Sequence, residues 1–215
     1  MTATFAILIP VNRLDRAKGR LASLLTAEER VALALATFTT AVAAARATGA
    51  TVYVLTNDSR IGATPGVTVL GEDASLHGLN AQLEAAIARI DAPAGGLLIL
   101  HADLPLATTE AIEAVRTGAP PAPSATLVRS ADGGTNAMLL RPPGLFPLAY
   151  GAGSHALHTA AAKAAGMAVH TIESPPLALD LDTPDDLHAL LATPGGVATA
   201  AGKVVSAALA RAETT

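Results

Sequence analysis

Three aspartates stand where carboxylates can do chemistry. Asp103 ends the apolar run Gly96-Leu-Leu-Ile-Leu-His-Ala-Asp103-Leu-Pro105. Such a run reads as a central strand, and the carboxyl end of a buried parallel strand is where open α/β sheets bind ligands. Pro105 stops the ladder there. Asp103 has a plainer alternative, capping the helix predicted at 108 to 117, but Thr108 with Glu110 behind it is the nearer capping pair. In Leu177-Ala-Leu-Asp180-Leu-Asp182, period-two alternation sends both acids to the face opposite the leucines. Asp185 and Asp186 belong instead to a helix start, after Thr183 and with Pro184 at N1. Asp103, Asp180 and Asp182 brought together unpaired would cost several kcal/mol. As a set they form a hard-oxygen site suited to Mg²⁺ with positions open for phosphates.

Opposite charge comes from Asn12-Arg-Leu-Asp-Arg-Ala-Lys-Gly-Arg20, the most basic stretch of the chain. Just past the first strand it is able to wrap a polyphosphate, with Lys18 as a point charge and Arg13, Arg16 and Arg20 as forked donors. The alternative is a solvated surface loop. Two further loops are rich in small residues. In Asp132-Gly-Gly-Thr135-Asn136 the glycines free the backbone to present successive N–H groups beside a hydroxyl, an anion nest in outline, though Asp-Gly-Gly is also a hairpin turn. Tyr150-Gly-Ala-Gly-Ser154-His155 opens a helix at 156 to 165, so Ser154 is either part of an anion site at a helix N-terminus or an ordinary N-cap. Facing each other, these loops would take the two anionic groups of one small ligand. Asn80, opening a helix at 80 to 91, caps it or hydrogen-bonds a ligand.

The elements that must position these residues alternate. A strand at 4 to 11 precedes a Thr26-Ala-Glu-Glu29 capping box and a long alanine-rich helix that Gly49 ends. Strands at Thr51 to Thr56 and Val67 to Leu70, the helix at 80 to 91, the central strand and the helix at 108 to 117 follow. Further strands are predicted at Ala125 to Arg129, Ala137 to Leu140 and Ala168 to Ile172, and a terminal amphipathic helix at 196 to 212, for which the sequence offers no chemistry. A βαβ beginning of this kind predicts a layered α/β sheet.

The 215 residues carry no linker of biased composition, so one domain over 1–215 is expected. Cysteine is absent, which excludes thiolate metal sites and cysteine catalysis. The apolar run at 4 to 11 is too short to span a bilayer and no basic segment precedes it, so the expectation is a cytoplasmic protein without a membrane partner. A net charge of -4 and 2% aromatic residues argue against nucleic acid, which needs a basic field and stacking platforms.

In their order along the chain, Ala17-Lys18-Gly19-Arg20-Leu21, Leu79-Asn80, Ala102-Asp103-Leu104-Pro105, Gly134-Thr135-Asn136-Ala137, Tyr150-Gly151 with Ser154 and His158, and Leu179-Asp180-Leu181-Asp182-Thr183-Pro184 form a recognisable set. The chain resembles the phospholactate and phosphoenolpyruvate guanylyltransferases of deazaflavin coenzyme (F-420) biosynthesis, within the MobA-like nucleotidyltransferases. The resemblance implies a single-domain three-layer α/β/α fold with a Rossmann-like, mostly parallel sheet of the nucleotide-diphospho-sugar transferase type. It implies GMP transfer from GTP to the phosphate of a small phosphorylated carboxylic acid, with pyrophosphate released. Asp103, Asp180 and Asp182 would hold Mg²⁺, Lys18 and Arg20 would act with Asp103 on the phosphates, and Asn80, Thr135, Gly151 and Ser154 would bind the substrates. A homodimer is the quaternary alternative to a monomer. Two positions depart from the family pattern. Asn12 replaces a common Lys, and His155 replaces Phe or Ser; His155 either lines the acceptor pocket, favouring an acceptor with a free hydroxyl, or is an inert residue of the helix start.

Overall fold

The computed structural model describes residues 4–14 and 18–213. Seven strands form one sheet in the order β3-β2-β1-β4-β6-β5-β7: β1 Ala6–Pro10, β2 Thr51–Leu55, β3 Thr68–Leu70, β4 Leu97–Leu100, β5 Ser124–Arg129, β6 Thr135–Arg141 and β7 Ala168–Thr171. All pairings are parallel except those of β6, which runs antiparallel to β4 and β5. The hairpin reading of Asp132-Gly-Gly therefore holds, and it turns the N-terminal end of β6 toward the edge where β1 and β4 end.

Strand alternation divides the core. Ile7, Ile9, Leu98, Leu100, Ala137 and Leu139 pack on one face with residues of α1 (Ala27–Ala47) and α3 (Thr109–Thr117). Ala6, Leu8, Leu97, Ile99, Met138 and Leu140 pack on the other with α2 (Leu79–Ile87) and α4 (Ser154–Ala164). This is the expected three-layer arrangement, in which strands covered on both faces are apolar throughout. The Thr26–Glu29 capping box is present, with both reciprocal hydrogen bonds formed. At 21 residues α1 is long and apolar enough to cross a membrane by length and composition, and eight of its side chains are buried in the fold.

A third cluster lies beside the sheet. Leu21 and Leu25 just after the basic loop, Leu33 of α1, Leu181 between the two acids, and Leu187 and Leu190 of α6 (Pro184–Ala192) pack with Ala201, Val205 and Ala208 of the terminal helix α7 (Ala200–Glu213). Leu21 follows Arg20, and Leu181 separates Asp180 from Asp182. The terminal helix thus belongs to the apolar base of both the basic loop and the acid pair. One expected element is different. The alternating run from Leu177 is not a strand, because Pro175 and Pro176 start a single helical turn, α5 (Pro175–Ala178). The alternation survives only over Asp180, Leu181 and Asp182, where Leu181 is fully buried.

Candidate active site

A cleft of about 560 Å³ opens along the sheet edge where β1 and β4 end and β6 begins. The chain passes from β1 to β2 and β3 on one side and then crosses back from β3 to β4 on the other side of β1, the switch point at which α/β sheets bind ligands. Lys18, Arg20, Asp103, Thr135, Gly151, Ser154, Asp180 and Asp182 all line this cleft, and so does Asn12. Asp15, Arg16 and Ala17 lie outside the described residues. Arg13 is exposed and not on the cleft wall.

The three acids meet. One carboxylate oxygen from each of Asp103, Asp180 and Asp182 lies within 4.8 Å of the others. Lys18 Nζ donates to Asp103 Oδ2 at 2.8 Å and to Asp182 Oδ1 at 2.9 Å, with only 7% of the lysine side chain exposed. Lys18 is also the one non-glycine with positive φ, 57°, among the described residues. That left-handed backbone costs about 1 kcal/mol or more, and such strain gathers at functional sites. Burial opposes the Lys18 charge, but the two aspartates outweigh it and lift its pKa above the usual lysine value. Burial likewise works against ionised Asp103, and Lys18 reverses this, holding that carboxyl below its ordinary range. Among the described residues Asp180 has no such cation. Its burial, reinforced by the Asp103 charge, raises its pKa to about 6, although Asn136 Nδ2 donates to Asp180 Oδ1 at 3.1 Å. Asp103 Oδ1 is buried with no hydrogen-bond partner among the described residues. Crowded hard oxygens, one of them orphaned, fit a divalent cation.

The expected nests take a different form. Gly133 N–H donates to Ser130 O at 3.1 Å and Gly134 N–H to Asp132 Oδ1 at 3.0 Å, so both donors are spent inside the hairpin turn. Asp132 also accepts from Ser130 Oγ and lines the cleft. Ser154 is not the N-cap. Gly153 holds that place at φ 68°, and the Ser154 and His155 N–H groups already bond Gly151 O and Gly133 O. Thr135 and Ser154 line the cleft beside Gly151, whose φ of 135° few side-chain-bearing residues adopt.

Asn80 is neither the cap nor on the cleft wall. Gly78 caps α2, and the Asn80 amide clamps the Tyr150 main chain, accepting from Tyr150 N–H at 2.7 Å and donating to Tyr150 O at 3.2 Å. It thereby fixes the segment that leads into Gly151. His155 does not line the cleft either, its Nε2 lying 3.1 Å from Thr171 Oγ1 of β7. His101 was not singled out from sequence. It lines the cleft, rests 5.2 Å from the Tyr150 ring, and burial lowers its pKa, favouring the neutral ring. Its position two residues before Asp103 at a strand end was the available signal.

A family model described as "Guanylyl transferase CofC like" matches residues 5–201. A phosphoenolpyruvate guanylyltransferase of Rubrobacter xylanophilus is 38% identical over 201 residues, which cover 91% of this chain and 96% of that protein. A 2-phospho-L-lactate guanylyltransferase of Methanoregula boonei is 36% identical over 174 residues, covering 81% of this chain and 76% of that protein. Among solved structures, one described as a nucleotide-diphospho-sugar transferase of Desulfovibrio desulfuricans superposes with a TM-score of 0.75 over 96% of each chain at 14% identity, a likeness of fold. With a family model spanning nearly the whole sequence and relatives above one-third identity over most of it, the chain belongs to the CofC-like guanylyltransferase family and is a nucleotidyltransferase.

Proposed function

We propose that the protein transfers GMP from GTP to the phosphate of a small phospho-carboxylic acid, phosphoenolpyruvate or 2-phospho-L-lactate, in the cytoplasmic synthesis of the deazaflavin coenzyme F-420. The observation that carries this reading is the polarity of the cleft. Three acids and Lys18 crowd together on its wall, and Thr135 and Ser154 with a glycine-rich turn line the same cleft. A phosphorylated acid is polar at both ends, and the triphosphate needs cations where the acids are.

Asp103, Asp180 and Asp182 are the residues that would hold Mg²⁺. When bound, the ion supplies Lewis-acid polarisation at phosphorus and neutralises charge on the phosphates. Lys18 and Arg20 bind and orient the triphosphate from the basic loop. The acceptor phosphate has a second pKa of ~6, so near neutrality it is already a dianion and attacks without a general base. Its oxygen forms a bond to the α-phosphorus as the bond from that phosphorus to the β-phosphate bridging oxygen breaks, and pyrophosphate leaves with the electron pair. The protein then has to position and to stabilise charge, and needs no nucleophile of its own. Thr135, Ser154 and Gly151 receive the carboxylate end, and Asn80 holds the wall behind them through Tyr150.

The experiment is to incubate the protein and Mg²⁺ with each nucleoside triphosphate and a panel of phospho-acids, following pyrophosphate. Release is expected only when GTP and a phospho-acid are both present. Equal release with glycerol phosphate, which lacks a carboxylate, contradicts the acceptor assignment.

A further inference from the structure

Behind the two cleft hydroxyls lies a histidine that no step above uses. His158, on α4, is fully buried and does not line the cleft. Its Nε2 accepts the backbone N–H of Ala149 at 3.0 Å, and its Nδ1 lies 3.1 Å from Thr135 Oγ1. Thr135 Oγ1 is in turn 3.2 Å from Ser154 Oγ. Thr135 and Ser154 are themselves almost wholly buried, at 2% and 1% exposure, yet both line the cleft.

The Ala149 N–H decides the direction of this array. A backbone N–H only donates, so the ring nitrogen that meets it carries no proton. The neutral ring must then be protonated at Nδ1, and Nδ1 donates to Thr135. Burial, the largest influence on this ring, together with the nearby His101 and His155, lowers its pKa to about 4, which favours the neutral ring at physiological pH. The array then holds three protons, on Nδ1, Thr135 and Ser154, and has two internal links. Whichever hydroxyl donates to the other, one O–H is left over, with no protein acceptor among the described residues. Both residues line the cleft, so a ligand there is within its reach.

The geometry points to His158 as a positioning residue that fixes the Thr135–Ser154 pair as a hydrogen-bond donor to the acceptor's carboxylate. This rests on the reading of that part of the cleft as the acceptor site. The subsite is complementary to an anionic oxygen, whereas a neutral amide nitrogen or an ammonium at the same place would meet a donor. The acceptor phosphate is left for Lys18 and the three acids.

Two measurements test this. Long-range ¹H–¹⁵N spectra of ¹³C,¹⁵N-labelled wild-type protein at pH 7 read the tautomer, and triple-resonance assignment of the wild type identifies His158. The Nδ1–H form is expected; the Nε2–H form or a cationic ring overturns the proposal, and this holds even if no variant folds. Kinetics supply the second arm. A Gln amide stands near the place of Nε2 and abandons Thr135, while an Asn amide stands near Nδ1 and keeps a donor to it. His158→Gln is expected to raise the KM for phosphoenolpyruvate about 10- to 100-fold with the KM for GTP unmoved, the size of a lost hydrogen bond to a charged group. The conservative His158→Asn should recover most of that loss. Equal losses in both variants, or a KM for GTP that rises in step, reduce His158 to packing and overturn the proposal. Thr135→Val separates the two ideas. If it leaves the KM for phosphoenolpyruvate unchanged, the acceptor site itself is misplaced; if it raises KM while His158→Gln does not, only the positioning role fails.

Discussion

Lys18 Nζ lies 2.8 Å from Asp103 Oδ2, an ion pair between residues 85 positions apart that joins the loop after β1 to the end of β4. The same ammonium reaches Asp182, so it supplies positive charge to two of the three acids. Lys18→Ala should therefore destabilise the metal-free protein. Because Asp103 and Asp182 are 25% and 48% exposed, solvent screens the loss, and about 1–3 kcal/mol is expected rather than the larger cost of a fully buried pair. Thermal melts with and without Mg²⁺ check this. The variant should melt lower than wild type and gain more from Mg²⁺, and an unchanged melting temperature in both conditions would refute the counter-ion role.

Asp180 makes the opposite prediction. Its folded pKa is raised from 3.8 to about 6, so between these values the folded state binds more protons than the unfolded chain. Stability of the metal-free protein must then fall as pH rises from about 4 through 6, and the penalty is complete above 6. Asp180→Asn keeps an acceptor for Asn136 and removes the charge. Its melting temperature should exceed wild type above pH 6, with the gain vanishing toward pH 4, while transfer activity is lost. A constant difference across that range contradicts the assignment.

Leu181 links the acids to the third apolar cluster. Leu181→Ala should cost about 2–5 kcal/mol, the usual range for a buried leucine, measurable by denaturant titration. Because its backbone carries an acid on each side, activity at temperatures where the variant is folded should also fall. Stability loss with full activity would mean that the acids are positioned independently of this cluster.

The reading of residues from sequence succeeded where the cause was local. A continuous apolar strand ending in Asp103, the Thr26–Glu29 box and the Asp180-Leu181-Asp182 alternation each depend on neighbours a few positions away. It failed where short polar side chains had to choose among distant partners. Asn80 is chemically able to cap, but its amide meets the Tyr150 backbone, 70 residues on. Ser154 turns to Thr135 because Gly153 takes the cap. Gly133 and Gly134 give their N–H groups to their own turn. The contribution of α7 was invisible because its apolar face specifies burial and not the surface it covers.

His155 departs from the family pattern without touching the cleft. Its hydrogen bond to Thr171 ties α4 to β7. In His155→Phe, the order of kcat/KM among phosphoenolpyruvate, 2-phospholactate and 3-phosphoglycerate should match wild type. A reordered preference would show that the ring acts on the acceptor pocket after all.

The most direct test of guanylyl transfer follows the label. With GTP radiolabelled at the α-phosphorus, Mg²⁺ and phosphoenolpyruvate or 2-phospholactate, the label should move into a new guanylylated acid, and with the γ-phosphorus labelled it should leave in pyrophosphate. Both transfers should disappear in Asp182→Asn. Label from the γ-position in the acid product, or α-label recovered only in GDP or GMP, would contradict the account.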